Sequence, residues 1–200
     1  MFRQVPVLPV VLPLAAAALA ALLGSLRRRG RLTAPRALVA LALCVYLAGV
    51  VANTVFPIYL DKPVGDASWT SQAVLVPFAD YEVADALMNV AVFVPLGILL
   101  ALVLERSSWW RPVVAAAGVS LVIEVVQLLS THLLGSGHVA DVNDLLWNVV
   151  GGAAGVAVLA VAARVPVTRG HVERFRWDAA PAPAIAADAE PSRRVTADAG

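Results

Sequence analysis

Five stretches of about twenty residues, nearly free of charge, follow one another along the chain, with the arginines gathered in the segments between and after them. A helix of that length crosses the ~30 Å hydrocarbon core of a bilayer, and only helices and closed barrels satisfy every backbone amide there. The runs cover 5–26, 37–58, 86–104, 113–134 and 145–165. The fold class expected from them is all-α, a polytopic membrane helix bundle of about five transmembrane helices. Composition agrees: with 60% apolar and 14% charged residues, 200 residues carry too little polar surface for a water-soluble domain.

The first run is the weakest, because Pro6, Pro9 and Pro13 remove backbone donors and clash with the preceding turn. A cleaved signal peptide is the rival reading of it. Signal peptides place positive charge before the apolar stretch, however, and here Arg27, Arg28, Arg29 and Arg31 come after it, which favours a retained helix. Arginines then recur in alternate loops: Arg36 beside that block, Arg106 and Arg111 before the fourth run, and Arg164, Arg169, Arg174, Arg176, Arg193 and Arg194 at the end. The other side has Arg3 and Lys62. The positive-inside rule therefore predicts an N-terminus outside and a cytoplasmic C-terminus. Arginines tied to membrane spans form no basic domain, so a nucleic-acid partner is not expected.

Residues 1–165 read as the bundle and 166–200 as a cytoplasmic tail, largely disordered, since the Ala, Pro and Asp stretch from Ala179 has too little apolar bulk to offset its ordering entropy. The loop from Tyr59 to Asp85 is acidic, with Asp61, Asp66, Asp80, Glu82 and Asp85 against Lys62; Trp69, Phe78 and Tyr81 are candidates for the outer interface. Cys44 is the single cysteine, which excludes an intramolecular disulfide and a thiolate cluster. Fourteen arginines beside one lysine, with abundant alanine, suit a GC-rich bacterial genome and the plasma membrane of a bacterium, with the lipid bilayer as the first partner.

Several polar residues interrupt these runs at helical spacing. Ser120, Glu124, Gln127 and Thr131 fall on one stripe of the fourth run, with Glu124 near its middle. A carboxylate there costs at least ~2.5 kcal/mol on insertion scales, so it is expected to face protein or a water-filled cavity. Asp141, Asp144 and Asn148 form a second stripe that continues into Gly151 and Gly155, a pair that permits close approach of another helix. Asn89 enters the third run one turn above Phe93, Pro95 and Gly97. These depths agree in the outer half of the bilayer, so Asn89, Glu124, Gln127, Asp141, Asp144 and Asn148 make one candidate binding pocket, with Glu124 expected to contact Asn89, Gln127 or Asn148. His138, after Gly135, Ser136 and Gly137, is a candidate proton carrier at its mouth. Each residue has a plainer reading: an interhelical hydrogen bond for Glu124, helix capping for Asp141 or Asp144, a surface side chain for His138. No metal motif is present, and no cofactor is expected.

From Leu38 to Val165 the chain resembles the VanZ-like membrane proteins. The resemblance is carried by Val76, Pro77 and Phe78; by Asn89, Phe93, Pro95, Leu96 and Gly97; by Glu124 and Gln127; and by Asp141, Asp144, Asn148 and Gly151, in that order. The family commonly has arginine where His138 stands, and asparagine before the Pro77 and Phe78 pair. The resemblance implies a cell-envelope protein of the kind first associated with teicoplanin resistance, binding or modifying a lipid-linked envelope precursor or a glycopeptide at the outer leaflet. Two further functions stay open. One is a membrane-embedded hydrolase or transferase acting on a lipid-linked substrate, with Glu124, Asp141, Asp144 or His138 as catalytic candidates. The other is a small proton-coupled transporter, against which the near absence of inner-leaflet polar residues counts. Oligomeric state is not legible.

Overall fold

The computed structural model describes residues 2–62, 72–78, 82–104, 108–134 and 137–178. Five helices are long and apolar enough to cross a membrane: α1 (Val7–Arg28), α2 (Ala34–Thr54), α3 (Val83–Val103), α4 (Trp110–Leu134) and α5 (Val142–Ala162). The shortest have 21 residues, about 31 Å at 1.5 Å per residue, which matches a bilayer core. The all-α polytopic bundle expected from the runs is what forms. A shorter helix, α6 (Pro166–Phe175), follows α5, and two-residue strands β1 (Ala73–Val74) and β2 (Ala140–Asp141) precede α3 and α5.

Helices α2 to α5 each begin three residues before the apolar run that announces them. Their first turns are polar or interfacial, such as Val83-Ala84-Asp85 and Val142-Asn143-Asp144, and fail a test for apolarity while being good helix N-termini. Pro35 opens α2, and Pro57 follows its end. Pro6 is the N-cap of α1, and the helix continues through Pro13, leaving α1 packed chiefly on α2.

The closest seam joins α3 to α5. A Cβ added at Gly151 would strike the Val90 carbonyl, and one at Gly155 the Val94 carbonyl, so these glycines let two backbones touch in parallel. Around the seam Leu43, Phe93, Leu96 and Ala116 form one apolar cluster. Val39, Ala101, Leu102, Leu159 and Val172 form another, through which α6 packs on the bundle. Outward faces are apolar as well: on α4, Val122 is 62% exposed while Ser120 is fully buried. The inside of this helix is more polar than its outside, as expected where lipid replaces water.

Turning alternately, the helices define two ends. At one end the N-terminal segment pairs with the segment after α2 (Val5 N–H to the Ile58 carbonyl, 2.9 Å), and β1 lies parallel to β2. At the other end the α1/α2 turn, the last turn of α3 and the residues closing α6 meet. The sequence suggests a tail from residue 166 onward, but Pro166–Phe175 is helical. Proline at its first turn starts α6, and Val172, which is 8% exposed, anchors it. Asp66, Trp69, Asp80, Tyr81, Arg106, Gly135, Ser136 and the segment from Ala179 onward lie outside the described residues.

Candidate functional site

At the end that carries the two strands, a cavity of about 600 Å³ opens among α2, α3, α4 and α5. Asn89 on α3, Glu124 and Gln127 on α4, and Asp144 and Asn148 on α5 all line it. These are five of the six residues expected to form a binding pocket. Asp141, the sixth, does not line the cavity but touches it through Glu124.

The hydrogen bonds show why these residues stay in place. Asp141 is the N-cap of α5: its Oδ1 accepts from the Asn143 N–H at 2.7 Å, while its own N–H donates to Glu124 Oε2 at 2.9 Å. In a capping box the side chain three residues after the cap takes that N–H. Here that residue is Asp144, and Glu124 replaces it from another helix. Asp144 is thereby released to accept from Asn89 Nδ2 at 2.6 Å, across the α3/α5 seam. Asn148 Nδ2 donates to Ser120 Oγ at 3.0 Å, joining α5 to α4 one turn deeper.

Glu124 is 8% exposed and faces the interior, as its cost in hydrocarbon requires. It shares the cavity with Asn89, Gln127 and Asn148, but its hydrogen bond goes to the Asp141 backbone rather than to any of them. For Asp141 the capping role is the one its side chain performs. His138 is not among the cavity residues; its carbonyl accepts from Thr131 Oγ1 at 2.6 Å, closing the turn between α4 and β2. Among the described residues, no three His, Cys, Asp or Glu side chains converge as a metal site would need.

Two acceptors in this cavity, Gln127 Oε1 and Asn148 Oδ1, have no hydrogen-bond partner among the described residues. Buried polar atoms are nearly always paired, so unpaired acceptors beside a cavity suit a ligand that donates.

Residues 38–163 match the family model described as VanZ/LLP1. The chain belongs to the VanZ/LLP1 family. No curated protein and no solved structure matches it. The VanZ/LLP1 match begins four residues into α2 and ends just after α5, so every helix that lines the cavity falls within it, whereas α1 and α6 do not.

Residues not expected from the sequence also line or brace this cavity. On α2, Tyr46, Asn53 and Thr54 line the cavity. Tyr46 Oη donates to the Val92 carbonyl at 2.7 Å, next to the carbonyl that Pro95 leaves without its helical donor. Asn53 and Thr54 bond back to the carbonyls of Gly49 and Val50, which lets polar residues end a span without a partner helix. Asn143, only 2% exposed, accepts from the Phe78 N–H at 2.7 Å and pins the segment before α3, where Phe78 has φ +61°. The sequence signals were Pro95 for Tyr46 and, for Asn143, an amide in the first turn after a helix cap.

Proposed function

We propose that this VanZ/LLP1 protein binds an envelope component, a lipid-linked precursor or a glycopeptide, in the cavity among α2 to α5, and that it does so from the outer leaflet of a bacterial plasma membrane. The observation that carries this reading is the composition of the cavity wall. Carboxylates and amides from α3, α4 and α5 face apolar residues such as Val45, Val50 and Met88. Hydroxyl- and amide-rich headgroups suit the first set, and acyl or polyprenyl chains suit the second. The outer-leaflet placement rests on Arg27, Arg28, Arg29, Arg31, Arg111 and Arg164, all at the opposite end of the helices and so cytoplasmic by the positive-inside rule.

A contribution to teicoplanin resistance is the phenotype to test. Glu124, Asp141, Asp144 and Asn148 are replaced singly, membrane abundance is matched, and susceptibility is scored in a sensitive host. Loss of protection with Glu124→Ala, Asp144→Asn and Asn148→Ala is expected. Four variants that all protect like the parent would remove the cavity from that phenotype. A hydrolase or transferase is the second reading, favoured by Glu124 and Asp144 lining one cavity. Conversion of a lipid-linked substrate by purified protein, abolished in both variants, would move the assignment there.

A further inference from the structure

The arginine-bearing end holds a second cavity, of about 250 Å³, between the end of α3, the start of α4, the end of α5 and the residue after α6. Its wall includes Ser108, Trp109, Arg164 and Arg176. Arg176 is 7% exposed, yet its side chain makes one long hydrogen bond, Nη1 to the Ala101 carbonyl at 3.4 Å, and its Nε has no partner. Arg164, exposed at the end of α5, has no side-chain partner among the described residues. A buried guanidinium is ordinarily matched by an anion, and among the described residues no carboxylate bonds Arg176. Two arginines on one small cavity, one of them buried with unused donors, have the chemistry of a phosphate site.

We propose that this cavity binds the phosphate of an anionic phospholipid headgroup. Its depth selects lipid over free phosphate. The wall is built from the last turns of α3 and α5 and the first of α4, where helices leave the hydrocarbon. Trp109 and Trp110, 77% and 50% exposed, stand beside it as indoles do at headgroup level. The volume equals about eight waters at ~30 Å³ each, ample for a phosphate group. The site is independent of the cavity at the other end and of the function proposed for it.

The test uses the full chain in phosphatidylcholine nanodiscs with and without phosphatidylglycerol, reading retained lipid by native mass spectrometry and affinity for short-chain phosphatidylglycerol by titration. Arg164→Gln should weaken binding about five-fold, the scale of one arginine near an anionic surface. Arg169→Gln, exposed on α6 and outside the cavity wall, should leave it within about two-fold. Arg176→Gln should weaken it further, and because that change also alters the bond to the Ala101 carbonyl that ties the end of α6 to α3, the Arg164 and Arg169 pair carries the decision. Equal losses in that pair would reduce the effect to general surface charge and overturn the proposal. So would binding of inorganic phosphate alone with no retained lipid.

Discussion

The two ends of this bundle bury polar groups in opposite senses. At the cavity end the ionisable groups, buried or half-buried, are acceptors: Glu124 takes the Asp141 N–H and Asp141 takes the Asn143 N–H, so carboxylates gather at the start of α5. At the arginine end they are donors. Arg36, 3% exposed, gives Nε to the Arg176 carbonyl at 2.8 Å and Nη1 to the Arg31 carbonyl at 3.0 Å. Arg176 reaches the Ala101 carbonyl and the Trp177 N–H reaches the Leu102 carbonyl at 2.9 Å, two of the last carbonyls of α3. Helix ends explain the difference. Both α3 and α5 start at the cavity end and finish at the arginine end, so unpaired N–H groups and positive dipole ends collect at one and unpaired carbonyls at the other. A charge pattern usually read as topology also closes helix ends.

The seam that holds the ends in register is the place to break both at once. Gly155→Ala drives a Cβ into the Val94 carbonyl, which is backbone and cannot rotate away. Overpacking of this kind is expected to cost about 3 kcal/mol. Thermal unfolding in detergent should show a large loss, and lipid or ligand binding at either end should fall with it. Gly118→Ala is the control, since a Cβ there meets nothing within 4 Å.

Next in size is the arginine clasp. Arg36→Met leaves the carbonyls of Arg31 and Arg176 without their donor, a loss of about 2 kcal/mol for charged hydrogen bonds. Hydrogen exchange should accelerate over 166–178 and at the α1/α2 turn while the cavity end stays protected. Uniform acceleration would mean that the two ends are not separable. At the cavity end Asn143→Ala removes the acceptor for the Phe78 N–H, about 1 kcal/mol, and should loosen 72–78 without disturbing α6.

These sites also mark how far the sequence could be read. Run length and arginine placement sufficed for five helices, because hydrocarbon tolerates few other solutions. The stripe through Ser120, Glu124 and Gln127 and the one through Asp144 and Asn148 reach one cavity because helical spacing fixes direction as well as distance. Partners were less legible. Glu124 bonds a backbone N–H, which no side-chain pattern encodes, and Asn143 lies off the stripe of Asp141, Asp144 and Asn148. α6 was hidden for a different reason: its ten residues are too short and too charged for an apolar-run test, and it is held by carbonyls rather than by a long apolar face.

Glu124 itself sharpens what the cavity end does with charge. Glu124→Gln keeps an acceptor for the Asp141 N–H and should cost about 1 kcal/mol or less, whereas Glu124→Leu leaves that donor unpaired. Stability measured on the pair separates the capping role from any role of the carboxylate. A Gln variant that is stable but no longer binds ligand would assign the charge to binding.

The smallest effect belongs to the ion pair at the cavity end, the counterpart of Arg36 in exposed form. Arg3 meets Asp61 through two hydrogen bonds of 2.8 and 3.0 Å, but both side chains face solvent, 76% and 42% exposed. The guanidinium holds the Asp61 carboxyl below its ordinary value of 3.8. Because the folded value is depressed, whatever the pair contributes is fully present above 3.8 and is lost as pH falls through the lowered midpoint. An NMR titration of the Asp61 carboxyl should give a midpoint below 3.8 that climbs toward it with added salt, since exposed pairs are screened. Asp61→Asn should leave thermal stability at pH 7 essentially unchanged while Arg36→Met does not, which places the difference between these arginines in burial and carbonyl bonding rather than in charge.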